Sequence, residues 1–346
     1  MTTSKTILVT GAAGYIGSHT CVELLAAGYS VVALDNLCNS SPESLKRVEK
    51  ITGRAIPFYE VDVRDRLALR ALLKTHHIDA TIHFAGLKAV GESVARPLSY
   101  FENNVAGTVS LLQALAEAEA KTFLFSSSAT VYGDPERVPI TECARLSATN
   151  PYGRSKLMTE QMLEDLGKSD SSWAIGALRY FNPVGAHPSG LIGEDPRGIP
   201  NNLMPFISQV AVGRRDRLSI FGDDYPTLDG TGIRDYIHVV DLAHGHLAAL
   251  AELFRSGRSF TLNLGTGQGY SVLDMVHAFE QASGRKIPYR IVGRRPGDIA
   301  VCYADPTNAW QVLGWRAKRG LAEMCADHWR WQSMNPNGFQ AMSEAA

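Results

Sequence analysis

Short apolar runs of β-branched and aromatic residues alternate, through the first half of the chain, with longer stretches whose apolar positions recur every three to four residues. Thr6–Thr10, Val31–Asp35, Ile56–Glu60, Ala80–Phe84, Thr122–Ser128 and Trp173–Leu178 read as strands. Tyr15–Ala27, closed by Gly28, and Arg66–Lys74, Tyr100–Ala118 and Tyr152–Leu166 read as amphipathic helices. Strands separated by helix-length segments need crossover connections, which build a parallel, doubly wound α/β sheet. From Phe181 the rhythm loosens. Pro and Gly become dense up to Pro205, and charges gather at Arg214–Arg217. The pattern predicts a sheet domain over residues 1–181 and a smaller mixed α/β domain over 182–346, with an interleaved boundary and a polar tail fraying from about Met334. No internal repeat or low-complexity block interrupts it.

Composition narrows the function without naming it. The chain has 346 residues, 45% apolar and 20% charged, with a net charge of −1. That balance gives no electrostatic case for nucleic acid or for an anionic membrane. The five cysteines are odd in number and widely spaced, which points to a reducing compartment rather than a disulfide frame or zinc site. No apolar run approaches the 18 residues of a membrane span, and Met1–Lys5 leads into a strand without a signal-like apolar stretch, so a cytoplasmic location is expected.

Gly11-Ala12-Ala13-Gly14-Tyr15-Ile16-Gly17 follows the first strand directly and opens a helix. The first glycine permits the turn, the second lets a pyrophosphate approach the backbone, and the third lets helix and strand pack closely. Phosphate at that helix N-terminus meets free N–H groups and the favourable end of the dipole. Asp35 ends the next strand 18 residues after Gly17. A carboxylate there accepts from ribose hydroxyls and repels a 2′-phosphate, so the expected cofactor is NAD rather than NADP, in a Rossmann-type fold.

Tyr152 and Lys156 stand four apart in a helix that Pro151 opens and Asn150 caps, so they share a face with Cβ atoms roughly 6 Å apart. An ammonium beside a phenol favours the phenolate and pulls its pKa toward neutrality, which makes the pair a candidate acid/base. Ser128 ends its strand 24 residues earlier, on the side where open α/β sheets bind ligands, and can reach the same substrate hydroxyl.

The G-x-x-G-x-x-G spacing together with Tyr-x-x-x-Lys resembles the extended short-chain dehydrogenase/reductase superfamily. Within it, His83–Ser93 (HFAGLKAVGES), Ser126–Gly133 (SSSATVYG), Tyr180–Gly190 (YFNPVGAHPSG), Ile199–Pro205 (IPNNLMP) and Gly232–His238 (GIRDYIH) closely resemble the UDP-glucose 4-epimerase family, from the first strand to about Trp331. That resemblance implies that Tyr152 takes the proton of the sugar 4-hydroxyl while hydride passes to NAD. The 4-keto sugar then turns over and takes hydride back on its other face. Ser128 bonds the same oxygen, and Lys156 holds the cofactor ribose. It further implies that Tyr15, Ile16, Asp35, Asn36, Asn39, Ser40, Phe84, Ala85, Gly86, Lys88, Asn103 and Phe181 line the NAD site with the three glycines, and that Asp62-Val63 flank adenine. Lys88 also falls among the sugar-nucleotide contacts. Arg234 and Arg295 match the family's diphosphate arginines, which suits the fork geometry of guanidinium. Asn182, Asn201, Asn202 and Leu203 match its sugar and phosphate loop, Asp298 its uridine-ribose ligand, and Phe221 and Tyr236 fall in segments around the nucleotide. The helices Tyr100–Ala118 and Tyr152–Leu166 match its intersubunit bundle, so a homodimer is expected.

Cys302 departs from the pattern. In bacterial members restricted to non-acetylated sugars a bulky tyrosine stands there against the C2 substituent. A thiol in its place leaves room for an acetamido group, which extends the expected substrates from UDP-glucose and UDP-galactose to UDP-N-acetylglucosamine and UDP-N-acetylgalactosamine. A buried thiol can equally be a small hydrophobe without that role. Of the rival chemistries, a nucleotide-sugar 4,6-dehydratase needs an Asp-Glu pair where Ala129 and Thr130 stand, and a simple NAD dehydrogenase would release reduced cofactor. An NAD-sensing regulator would not need the intact Tyr152 and Lys156. His244-x-His246 and His76-His77 lack a third ligand at useful spacing, so no metal is expected.

Overall fold

The computed structural model describes residues 4–295 and 297–339. Its strands are β1 Thr6–Thr10, β2 Ser30–Asp35, β3 Phe58–Glu60, β4 Ala80–His83, β5 Thr122–Ser128, β6 Ala174–Tyr180 and β7 Asn182–Val184. There follow β8 Leu218–Phe221, β9 Ile233–His238, β10 Phe260–Leu264, β11 Gly269–Ser271, β12 Tyr289–Val292 and β13 Val301–Cys302. Seven of them form one parallel sheet in the order β10-β6-β5-β4-β1-β2-β3. The order reverses between β1 and β4, and in such sheets the crevice beyond that switch point takes the ligand.

Two cores cover the two faces, as alternation along buried strands requires. Ile7 and Val9 point to one, packed with Leu24, Leu250 and Leu253 from the helices Tyr15–Ala26 and Val239–Ser256. Leu8 points to the other, with Leu69, Leu111, Leu115 and Leu163. Burying each such side chain contributes roughly 1.5–3 kcal/mol. A second, smaller layer joins β9 to β7, β11 and β13 and pairs β8 with β12. Helices Leu203–Ala211, Val272–Ser283 and Leu321–Met334 close a third core around Met204, Met275 and Met324.

Several elements differ from the sequence pattern, among them the short helix Val90–Ala95, which it did not predict. The expected helix Tyr100–Ala118 breaks into a turn at Pro97–Tyr100, a π-helical segment Phe101–Ala106 and an α-helix Gly107–Glu117. The helix Pro42–Thr52 is additional, with Ser41 capping Glu43 N and Gly53 in the left-handed region at its end. The seventh strand, β10, enters the large sheet from beyond residue 182. Among the described residues no helix is long and apolar enough to cross a membrane.

Candidate active site

The glycine turn is forced by contact. A Cβ on Gly11, whose φ is +69°, would stand 2.7 Å from Ala85 N, and one on Gly17 would stand 2.1 Å from Gly11 O. Gly14 precedes the helix Tyr15–Ala26 without any side-chain cap, so its first N–H groups face the crevice unclaimed by a side chain. This opening, lined by backbone of the first and fourth strand ends, suits a pyrophosphate.

Asp35 is buried at the end of β2. Its carboxylate accepts from Ala13 N at 3.0 Å, Leu37 N at 2.9 Å and Ser40 Oγ at 2.8 Å, which ties the glycine turn to the 36–40 loop. Asn36 donates to Asp62 Oδ2 at 2.9 Å, and Asp62 also accepts from Arg64, whose guanidinium holds its carboxyl well below the usual range. Val63 is buried beside Gly107, while Asn39 is exposed at the loop tip. Ile16 is half-buried in the first helical turn, and Tyr15 bonds Gly185 O at 2.7 Å. Phe84, Ala85 and Gly86 run past the turn from β4. A Cβ on Gly86 would lie 3.7 Å from Lys156 Nζ, so the cofactor strip and the catalytic helix meet there. The fit to NAD is therefore physical: a cradle too tight for any side chain, uncapped N–H donors, and a buried carboxylate at the ribose end.

Asn103 donates to Asn104 Oδ1 at 3.0 Å within the π-helical segment. The sequence reading missed Asn104. It is buried and brackets Leu87 through both N–H and C=O, and it donates to Ser155 Oγ at 3.0 Å, so it fastens the cofactor loop to the catalytic helix. No sequence signal marks it, because helical periodicity does not register a π-segment.

Tyr152 and Lys156 lie in the helix Pro151–Ser169, with Asn150 Oδ1 accepting from Gly153 N at 2.8 Å. Lys156 Nζ donates to Ser126 O at 2.7 Å and lies 5.9 Å from the Tyr152 ring centre. Burial pushes the ammonium down to about 8, with Glu160 one turn on opposing the fall. Burial also pushes Tyr152 above the ordinary phenol value, against the Ser128 hydroxyl, which favours its ionisation. This corrects the expectation that Lys156 lowers the tyrosine pKa. At that separation the desolvation of the phenolate outweighs the pull of the ammonium, which keeps its charge while donating to the carbonyl. Ser128 itself accepts from Thr130 N at 3.2 Å and Thr130 Oγ1 at 3.0 Å and caps the turn after β5. Beneath the pair, the buried Glu160 carboxylate takes Arg179 at 2.6 Å and the Ser127 hydroxyl, locking helix, β5 and β6 together.

The remaining candidates gather in the smaller layer. Cys302 is opposite Arg234 in the β13–β9 pair. It is buried with Phe181, Val131 and Tyr132, and its thiol is pushed up to about 11 by burial. Tyr236 is buried nearby, raised to about 12 by desolvation while Arg234 and Arg295 act against the rise. Arg295 lies 4.6 Å over the Phe221 ring and bonds Asp298 Oδ2 at 2.9 Å, which unites three expected residues in one exposed patch. Asn182 and Asn201 are exposed, and Asn202 precedes the helix that Leu203 opens. Lys88, half-exposed, pairs with the buried Glu194 at 2.9 Å. Glu194 is a second residue the sequence reading missed, because its partners are remote in the chain. Among the described residues no group of three His, Cys, Asp or Glu is placed for a metal.

The family model described as "NAD dependent epimerase/dehydratase family" matches residues 7–265. Over 335 residues the chain is 63% identical to a UDP-glucose 4-epimerase of Bacillus subtilis (strain 168), covering 97% of this chain and 99% of that one. The chain belongs to the UDP-glucose 4-epimerase family. A crystal structure of the Bifidobacterium longum UDP-glucose 4-epimerase in complex with NAD+ and UDP superposes with a TM-score of 0.94 at 53% identity, covering 96% of this chain and all of that one. The UDP-Glc/GlcNAc 4-epimerase of Campylobacter jejuni is more distant, at a TM-score of 0.83 and 36% identity over 96% of this chain and 100% of that one.

Proposed function

We propose that this protein interconverts UDP-glucose and UDP-galactose, and UDP-N-acetylglucosamine and UDP-N-acetylgalactosamine, by transient oxidation at C4. The observation that carries the reading is the convergence of Ser128, Tyr152 and Lys156 beside Gly86 at the sheet's switch point, with Ala129 and Thr130 beside them. NAD, when bound, supplies reversible hydride acceptance at the sugar carbon. Tyr152 Oη removes the 4-hydroxyl proton and later returns it, and Ser128 Oγ shares that proton. Lys156 lends positive charge to the phenolate and, through Ser126 O, keeps the helix in register with β5. Ala129 and Thr130 offer no acid or base for expelling water, so the keto sugar has no route to elimination.

On the diphosphate, Arg234 and Arg295 supply charge, and Asn201, Asn202 and Leu203 supply donors. The 36–40 loop, Asp62-Val63 and Asn103 hold the cofactor, and Phe221 and Asp298 the uridine. The N-acetyl activity rests on the volume that Cys302 leaves beside Phe181. The protein acts as a homodimer through its catalytic helix: an open apolar groove of about 510 Å³ between Phe101, Val105, Val109 and Met158 suits a second copy's helices. Steady-state turnover of the four UDP-hexoses tests the reading. Conversion of UDP-galactose without UDP-N-acetylglucosamine would leave only its narrower half standing.

A further inference from the structure

We propose that residues 191–197 form a clasp over the bound dinucleotide, with Arg197 as its latch and a positioning residue for cofactor retention. This rests on the placement of NAD between the glycine turn and the 36–40 loop. The large sheet runs β4-β1-β2 across its switch point, so the loops after β4 and β2 flank the glycine turn after β1. Neighbouring strands lie about 4.8 Å apart, which sets those two loops about 10 Å from each other. The strap touches both. Glu194 pairs with Lys88, in the loop after β4, at 2.9 Å. Arg197 donates to Ser40 O at 2.6 Å and to Cys38 O at 3.4 Å, in the loop after β2. The chain between Glu194 and Arg197 thus crosses the mouth of the crevice at the turn that takes the pyrophosphate.

The clasp is fastened from the other side as well. Arg47 lies in the helix Pro42–Thr52, directly after the cofactor loop. It donates to Leu191 O at 3.0 Å and to Asn335 Oδ1 at 2.6 Å, and Asn335 donates to Gly190 O at 2.9 Å. Strap and cofactor segment therefore exchange arginines, each reaching carbonyl oxygens of the other. The loop so held carries Leu37 at φ +55°, a backbone region that a branched side chain keeps only under outside restraint. Ser40, whose carbonyl Arg197 takes, bonds Asp35 at 2.8 Å, so the latch bears on the ribose carboxylate. Because the reaction returns its hydride to the sugar, NAD need not leave between turnovers, and a closed clasp is compatible with catalysis.

The readout is exchange of bound NAD against isotope-labelled NAD in the purified holoenzyme. Arg197→Ala is expected to exchange about tenfold faster, the effect of losing one or two ordinary hydrogen bonds. Arg197→Lys keeps the charge but has no fork to span two carbonyls, so it should exchange at least about threefold faster than wild type. Arg330→Ala controls for general loosening, because Arg330 bonds Pro188 O and Asp327, outside the 36–40 loop. Its exchange should stay within about twofold of wild type. Arg330→Ala as fast as Arg197→Ala, or Arg197→Ala as slow as wild type, overturns the clasp. So does Arg197→Lys matching wild type, since charge alone would then suffice. Mass analysis of the cofactor extracted from wild type separates the two claims. NADP there, or no dinucleotide, removes the ribose placement at Asp35; NAD there with unchanged exchange in the Arg197 variants removes only the clasp.

Discussion

Lys156 Nζ points at the Ser126 carbonyl, 2.7 Å away, while the centre of the Tyr152 ring lies 5.9 Å off. The ammonium is thus fixed by the strand rather than by its phenol partner. Burial draws it down to about 8. A lowered lysine pKa means that the charge is lost as pH rises through about 8, well before a free lysine would lose it. Activity should therefore fall on the alkaline side from about pH 8, and a kcat profile checks this. A flat profile to pH 10 would show that the charge is not used.

Replacing Tyr152 by Phe removes the acid/base oxygen and little volume. The kcat should drop about 100- to 10,000-fold, the usual contribution of a positioned proton carrier, while UDP affinity stays unchanged. Turnover and calorimetry on the same preparation separate the two effects.

Gly17→Ala puts a methyl 2.1 Å from Gly11 O, a contact that backbone must yield to. The outcome expected is loss of retained NAD and a destabilisation of about 1–3 kcal/mol. NAD content after gel filtration and thermal unfolding measure both.

Four buried imidazoles resist protonation: His19 and His83 are held near 3, and His246 and His328 near 4, by desolvation. Their folded-state pKa lies below the unfolded value, so stability is full above about 6.5 and declines as pH falls toward those values. Each adds about 1.4 kcal/mol of loss per pH unit in that window. Denaturant midpoints should fall between pH 7 and 5, and His246→Phe should soften the slope.

Cys302→Tyr refills the space beside Phe181. Activity on UDP-N-acetylglucosamine should fall more than about tenfold, with UDP-galactose turnover retained within about threefold, a split that hydrophobic pocket discrimination can supply. Equal losses on both sugars would point to overpacking instead.

Much of this was legible in the residues. The strand Thr6–Thr10, the glycine turn and the helix start at Pro151 come from local chemistry, and the structure keeps them within a residue or so. What escaped depends on distance. β10 is a five-residue run whose place beside β6 is fixed only by the assembled sheet. The π-segment at Phe101–Ala106 needs the buried Asn104 network to make sense of it. Lys88 and Glu194 are 106 residues apart, and no periodicity links them. The Tyr152 pKa went the other way because a helical spacing gives proximity of Cβ atoms, not the direction in which an ammonium points.

The most direct measurement is to incubate the purified protein with UDP-galactose and follow the sugar by proton NMR while recording absorbance at the reduced nicotinamide band. The reading expects UDP-glucose to appear and reach the same mixture from either side, with no reduced cofactor accumulating. A 4-keto-6-deoxy product, or reduced nicotinamide rising in step with substrate loss, would contradict it.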